Sequence, residues 1–276
     1  MEINKLHYSF MDTSELRKSK TRQSLVKSRL IDRFNFWGKI RYRWWQVFGR
    51  SLPFSVTLRS GEKIRLRPES TDWSVANEVF DREVYRLPVE LAEIPIRRIV
   101  DIGGNVGFTT LYWMRRLPNA RVLAFEPHPE NVEAFREHIR RNLVSNRVEL
   151  LPVAAGVRAA NVTLWDGGSG SSLVLARRGH QGRSFEVPLV DYFSSVGAEP
   201  IDLLKIDIEG AEYDLLDDPR FFVVKPRIIA MEWHAIPSRP DAGIWCLTQL
   251  RGQGYVAWQT EESHDKGIGM IWAMLP

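Results

Sequence analysis

The feature that most restricts this chain is an alternation, from residue 99 onward, of short apolar runs with segments of helical period. Apolar runs at 99–102, 121–125 and 148–153 are separated by helical patterns at 108–116 and 129–142. After an interruption the pattern resumes with a run at 203–208, a helix at 211–216, a run at 228–233 and a helix at 244–251. Runs at 255–259 and 269–274 close the series. A strand reached from its parallel neighbour through a helix requires a crossover. The sequence therefore predicts an α/β fold with a Rossmann-like, seven-stranded, doubly wound sheet. With 276 residues, 44% of them hydrophobic and 26% charged, the chain can bury a core of that size.

Two features flank or interrupt the alternation. Phe54, Val56 and Leu58 alternate, Ser60-Gly61-Glu62 supplies a turn, and Ile64 and Leu66 alternate again, so a β-hairpin leads into the domain. Thr71 or Asp72 then caps a short helix carrying Trp73, Ala76, Val79 and Phe80. Between the third and fourth core strands, β-like stretches at 161–165 and 185–190 flank a glycine-serine stretch at 166–172, read as an inserted loop or hairpin.

Charge is unevenly placed. The net charge is +4, yet residues 1–50 carry twelve Lys or Arg against four Asp or Glu, so this segment is about +8 and the remainder about −4. Residues up to about 24 are polar and without period, and are expected to be disordered. From Val26, the residues Leu30, Phe34, Trp37, Ile40, Trp44 and Val47 follow at steps of three and four, which predicts a basic amphipathic helix. Its partner is either the body of the protein, a second copy in a homo-oligomer, or an anionic membrane surface. No nucleic-acid motif accompanies the charge, so no nucleic-acid partner is expected. Two regions follow: a basic extension over 1–50 and a catalytic domain over 51–276. The single Cys246, the absence of a secretory pattern in residues 1–10 and of any run of eighteen apolar residues predict a cytoplasmic protein, peripheral at the inner membrane face if the helix binds lipid.

The string IVDIGGNVGFTTLYWM (99–114) is an apolar strand, a glycine-rich turn and a helix. Such a turn brings backbone close to a ligand and aims helix N-terminal amides at an anionic group. The dinucleotide fingerprint fails, because its second and third glycines would fall at Asn105 and Phe108. What holds is Gly103 followed by Gly107, with Asp101 two residues before, and Glu126 ending the next strand. S-adenosylmethionine suits that arrangement: Asp101 attracts its cationic region through water or backbone, the turn amides hold its carboxylate, and Glu126 accepts both ribose hydroxyls. Asn105, Phe108 and Thr109 complete the expected cofactor site with Gly103, Gly107 and Asp207. Asp101 as a helix cap and Glu126 as a solvated strand end are the structural alternatives.

The chain resembles the FkbM family of methyltransferases. The residues that carry the likeness are TDWSVANEVF (71–80), VDIGGNVGFTT (100–110), FEPHPEN (125–131), VPLVDYF (187–193), LLKIDIEGAEYDLL (203–216) and AMEWH (230–234), in the family's order and spanning roughly 55–276. The stretch 205–212 is the most specific. Gly104 departs from the family, which often has alanine there, and the exchange is expected to change little. The resemblance implies an S-adenosylmethionine-dependent O-methyltransferase acting on a small molecule or glycan, often a sugar hydroxyl of a glycolipid or secondary metabolite. Residues before Phe54 lie outside it.

Methyl transfer to oxygen needs an aligned hydroxyl and a group that takes its proton. Asp207 and Glu209, two apart at the end of the fourth strand, face one side if the extended geometry persists. Glu232 and His234 repeat that spacing one strand over, and Glu212 stands in a helical first turn, where an acid is favoured by the dipole alone. Asp207 is expected nearest the transferred methyl, with Glu209 or His234 as proton acceptor. The same group could ligate Mg²⁺, although no dedicated metal motif is present. Trp165, Trp233 and the glycine-serine loop form either core or an aromatic lid. The remaining alternatives are a non-catalytic S-adenosylmethionine-binding protein and a nucleic-acid methyltransferase, whose Asn/Asp-Pro-Pro-aromatic motif is missing from the fourth strand.

Overall fold

A computed structural model describes residues 30–49, 51–166, 171–172, 183–263 and 267–276. Its strands are β1 (Phe54–Thr57), β2 (Lys63–Leu66), β3 (Arg98–Ile102), β4 (Arg121–Phe125), β5 (Val148–Leu151), β6 (Ala154–Gly156), β7 (Ala160–Asp166), β8 (Ser171–Ser172), β9 (Ser184–Asp191), β10 (Leu203–Ile206), β11 (Ile228–His234), β12 (Val256–Ser263) and β13 (Ile268–Met274). The helices are α1 (Phe36–Phe48), α2 (Asp72–Ala76), α3 (Phe108–Arg116), α4 (Pro129–Arg141), α5 (Tyr192–Ser195), α6 (Glu212–Asp217), α7 (Phe221–Val224) and α8 (Ala242–Gly252).

The main sheet has seven strands in the order β12-β13-β11-β10-β3-β4-β5. The five from β5 to β11 run parallel, and β13 lies antiparallel to both β11 and β12. These are the seven strands the alternation predicts. Because side chains on a strand point alternately to opposite faces, neighbours in sequence enter different cores. Ile99, Leu203 and Ile228 pack with Phe108, Leu111 and Phe135 on one face. Val100, Leu204 and Ile229 pack with Leu215, Leu216 and Leu250 on the other. The chain builds outward through β4 and β5, then returns to start again at β10 beside β3. This reversal opens a crevice at the carboxyl ends of β3 and β10, the place where open α/β sheets bind ligands.

The insertion between β5 and β10 is a sheet in the order β6-β9-β7-β8, packed around Ala154, Leu164 and Val187. Of the glycine-serine stretch, residues 167–170 lie outside the described residues. Trp233 packs against Gly243 and Gly269 within the second core, so it is not part of a lid.

At the amino-terminal end the structure corrects the expectation of one continuous helix. Residues 1–29, Val26 among them, lie outside the described residues. A 3₁₀ turn, Leu30–Arg33, precedes Phe34, which pairs with Leu58 and is fully buried. The helix starts only after Asn35, whose side-chain oxygen accepts the Gly38 N–H at 2.7 Å. Its inner face is Gly38, Tyr42 and Trp45, while the predicted apolar stripe of Trp37, Ile40, Trp44 and Val47 faces outward. Hydrophobicity alone hid the reason. A Cβ on residue 38 would lie 2.4 Å from Val56, so glycine lets the helix approach β1, and stacking of Tyr42 on Trp73 completes that approach. The cap of α2 also differs. Asp72 is buried and pairs with Arg67 at 2.7 Å, and Thr71 makes no capping bond. No helix among the described residues is long and apolar enough to cross a membrane.

Candidate active site

The loop after β3 closes on β4 and β10 at very short range. Gly103 and Gly104 both donate their N–H to the Phe125 carbonyl, at 3.0 and 2.9 Å. Gly103 has φ +80°, and a Cβ there would lie 1.8 Å from the Asp207 carbonyl oxygen, so only glycine fits. Asn105, also left-handed, donates its N–H to Glu126 Oε2 at 2.7 Å. Gly107 packs on Phe135, where a Cβ would sit 2.3 Å from the ring, and it lines neither of the hollows described below. Gly104 also abuts Phe135, at 2.7 Å for a Cβ, so alanine here requires that ring to move, contrary to the expected indifference of the exchange.

Two hollows meet at this loop. The first lies beside β4 and is lined by Gly103, Asn105, Glu126, Asn131, Asp207, Glu209 and apolar residues. The second, about 1700 Å³, opens toward β11 and is lined by Tyr85, Thr109, Lys205, Asp207, Glu232 and His234. Gly103, Asn105, Asp207 and Glu209 border both. Phe108 and Thr109, expected from the sequence in the cofactor site, border the second hollow.

Glu126 faces the first hollow, buried and with both oxygens held: Oε2 by Asn105 and Oε1 by the His128 N–H at 2.8 Å. Burial outweighs those bonds and raises its pKa to about 7. Asp101 lies fully buried beneath the loop rather than in either hollow. It accepts from the Thr110 hydroxyl at 2.8 Å and pairs with Lys205 at 3.2 Å. Asp101 thus holds a buried cation and would reach a ligand only through backbone or water.

Lys205 escaped the sequence reading as a site residue, although a lysine inside the otherwise apolar β10 is the signal that should have found it. Its ammonium group donates to the Gly103 carbonyl at 2.8 Å and lies 3.4 Å from Asp207. Burial alone would lower its pKa, but Asp101 and Asp207 reverse that and raise it, so it is charged. Tyr85, which no sequence signal marks, donates its hydroxyl to Asp207 at 3.1 Å. Burial first, then the charges of Asp207 and Glu232, keep the phenol protonated.

Strand β10 ends at Ile206, so the extended geometry does not reach Glu209, which adopts φ +56°. The left-handed turn through Glu209 and Gly210 still brings Glu209 to 3.5 Å from His234 Nε2. Fully buried Glu212 does more than favour a helix end. It accepts the Gly210 N–H at 2.9 Å and the His234 N–H at 2.7 Å, and it faces His234 Nδ1 at 3.2 Å. Burial would depress the His234 pKa, yet the Glu212 hydrogen bond and the surrounding carboxylates raise it to about 10. Burial raises Glu209 to about 7 and Glu232 to about 8. At neutral pH the rim therefore presents an imidazolium and two carboxyl groups near their titration points. Asp207, Glu232 and His234 each offer a ligand atom within 4.8 Å of the others.

The family profile described as "Methyltransferase FkbM domain" matches residues 101–257, more than half of the chain. Methyltransferase sdnD of Sordaria araneosa is 26% identical over 204 residues, covering 60% of this chain and 77% of that protein. The 2-O-methyltransferase NoeI of Sinorhizobium fredii is 29% identical over 170 residues, 55% of this chain and 69% of its own length. The 31-O-demethyl-FK506 methyltransferase FkbM of Streptomyces tacrolimicus is 30% identical over 216 residues, 64% and 79% of the two chains. With its ligand crevice at the strand reversal and this match over the whole loop-to-β12 region, the chain belongs to the FkbM methyltransferase family and is a methyltransferase.

Proposed function

We propose that the protein is an S-adenosylmethionine-dependent O-methyltransferase whose first hollow takes the cofactor and whose second takes a sugar-like hydroxyl acceptor. The observation that carries this is Glu126, a buried carboxylate at the end of β4 facing the same hollow as the bare backbone of Gly103. Two backbone amides orient its oxygens; Oε1 also accepts from the Asn131 side-chain amide at 3.4 Å, and Oε2, which accepts from Asn105, keeps a lone pair for a ribose hydroxyl. Asn105 and Gly103 would border the amino-acid end, and Asp207 the junction with the second hollow. Bound there, S-adenosylmethionine supplies a methyl carbon made electrophilic by its sulfonium.

The chain's own residues manage the hydroxyl and its proton. Lys205 and Tyr85 fix the Asp207 carboxylate, which borders both hollows and positions the acceptor. Glu209 also borders both, and with a pKa of about 7 it is matched to accept the hydroxyl proton as the oxygen–carbon bond forms. His234, already protonated, stabilises the ionised Glu209 rather than acting as the base. The donor set fits Mg²⁺ poorly: Asp207 is engaged by an ammonium and a phenol, and the third ligand is an imidazole nitrogen where that ion takes oxygen. No step here uses a metal.

The name of NoeI supports an oxygen acceptor, and the acids lining the second hollow can accept from several sugar hydroxyls at once. Calorimetric titration with S-adenosylhomocysteine tests the reading: wild type should release heat and gain melting temperature, and NAD should do neither. Absence of binding by S-adenosylhomocysteine would overturn it.

A further inference from the structure

Helix α1 lies on the body by one face and leaves a hydrophobic one outside. Trp45 and Tyr42 pack inward on Phe54 and Trp73, with ring centroids 5.4 Å apart in both cases. On the other side Phe36, Trp37, Trp44, Val47 and Phe48 are 64 to 74% exposed, and Ile40 lies among them. At 3.6 residues per turn these six side chains fill an arc of about 120°. Leu52, just beyond the helix, is also exposed. So large an aromatic surface on a helix that is already docked calls for a partner.

Charge and shape point to one class of partner. Arg41 and Arg43 fall at the two margins of the apolar arc, and among the described residues neither has an ion-pair partner, whereas Lys39 pairs with Asp32 and Arg33 with Asp81. The helix presents its whole apolar face outward for about 20 Å, with tryptophans at the centre and arginines at the rim. That pattern suits a flat, negatively charged surface with an apolar interior. The remaining charge of residues 1–50, about +8 in total, has the same sign.

We propose that the outer face of α1 docks on an anionic phospholipid bilayer. The inner face links this surface to the site: Tyr42 stacks on Trp73 of α2, whose Ser74 and Val75 line the second hollow. Docking thus holds the acceptor hollow one helix away from the lipid, suited to a lipid-linked acceptor. The docking itself does not depend on the methyl-transfer reading, because it is read without cofactor or acceptor.

The test is co-sedimentation of the full chain with phosphatidylcholine vesicles, with and without one-third phosphatidylglycerol. Wild type should partition at least tenfold more strongly onto the anionic vesicles. Trp37→Glu/Trp44→Glu should lose at least tenfold of that binding, and Arg41→Gln/Arg43→Gln about twenty-five-fold, near fivefold per arginine. Unchanged circular dichroism and melting temperature establish that both variants fold. Three results overturn the proposal: no vesicle binding by wild type, binding by the tryptophan variant equal to wild type, or a lipid-free dimer in sedimentation velocity that the tryptophan variant abolishes. The last would make the face an interface between copies.

Discussion

In the hollow beside β4 the acid Glu126 has both oxygens held by backbone N–H groups, and Gly103, Ala154, Ala155 and Leu164 line it together with Asn131 and with the Asp207 and Glu209 that it shares with the second hollow. Across the Gly103 loop, Asp207, Glu209 and Glu232 crowd around Lys205, Tyr85 and His234, where the partners are side chains. Backbone donors are fixed by the fold and cost nothing to orient when a ligand arrives. Side-chain acids held near neutral pKa can change protonation state. The first arrangement suits recognition and the second suits proton transfer.

Lys205→Met should expose that contrast most sharply. It leaves Asp101 buried without its cation and should cost about 3–5 kcal/mol in denaturant unfolding. A loss below about 1 kcal/mol would mean that the acids of the second hollow do not depend on this ammonium. Glu209→Gln should next reduce kcat by about 10²-fold or more while S-adenosylhomocysteine affinity stays within a few-fold, keeping the two hollows functionally separate. An equal loss of affinity would break the separation. Glu126→Gln should do the reverse, weakening cofactor binding by about tenfold or more with kcat preserved at saturation.

The pH profile sharpens the same division. A base must be ionised, so kcat should rise as pH increases through about 7 to 8, the range of Glu209 and Glu232, and fall again only near 10, where His234 loses its proton. In Glu209→Gln the rising limb should disappear from the residual rate. A smaller effect belongs to the floor of the loop: Gly104→Ala should cost about 1–3 kcal/mol of stability through the Phe135 contact. Chelator treatment should leave the rate unchanged, and a rate restored only by added Mg²⁺ would contradict the proposed assignment of His234 as a cation.

The central sheet was legible because burial on both faces leaves little choice: β3, β4, β10 and β11 are mostly apolar runs, and their helices carry the complementary period. Glycine spacing and the acid ending β4 likewise located the loop and Glu126. What failed to show had its cause in tertiary contacts. Tyr85 meets Asp207 from 122 residues away, which no local pattern can encode. Lys205 was visible as an anomaly but not as the partner of Asp101. The stripe on α1 had the period of a packed helix, yet the side facing the body was set by Gly38, the residue that hydrophobicity counts least. The end of β10 at Ile206 was hidden too, because Glu209 is left-handed despite its side chain.

Glu212 binds the turn after β10 and the last residue of β11 with one carboxylate. The turn that carries Glu209 and the strand end that carries His234 are therefore joined through one side chain. The second hollow is also lined by Thr71, Ser74 and Val75, none of them tied into that clamp by a side-chain hydrogen bond among the described residues. On the proposed reading, a different acceptor would be accommodated by changing those three residues, with the clamp left in place.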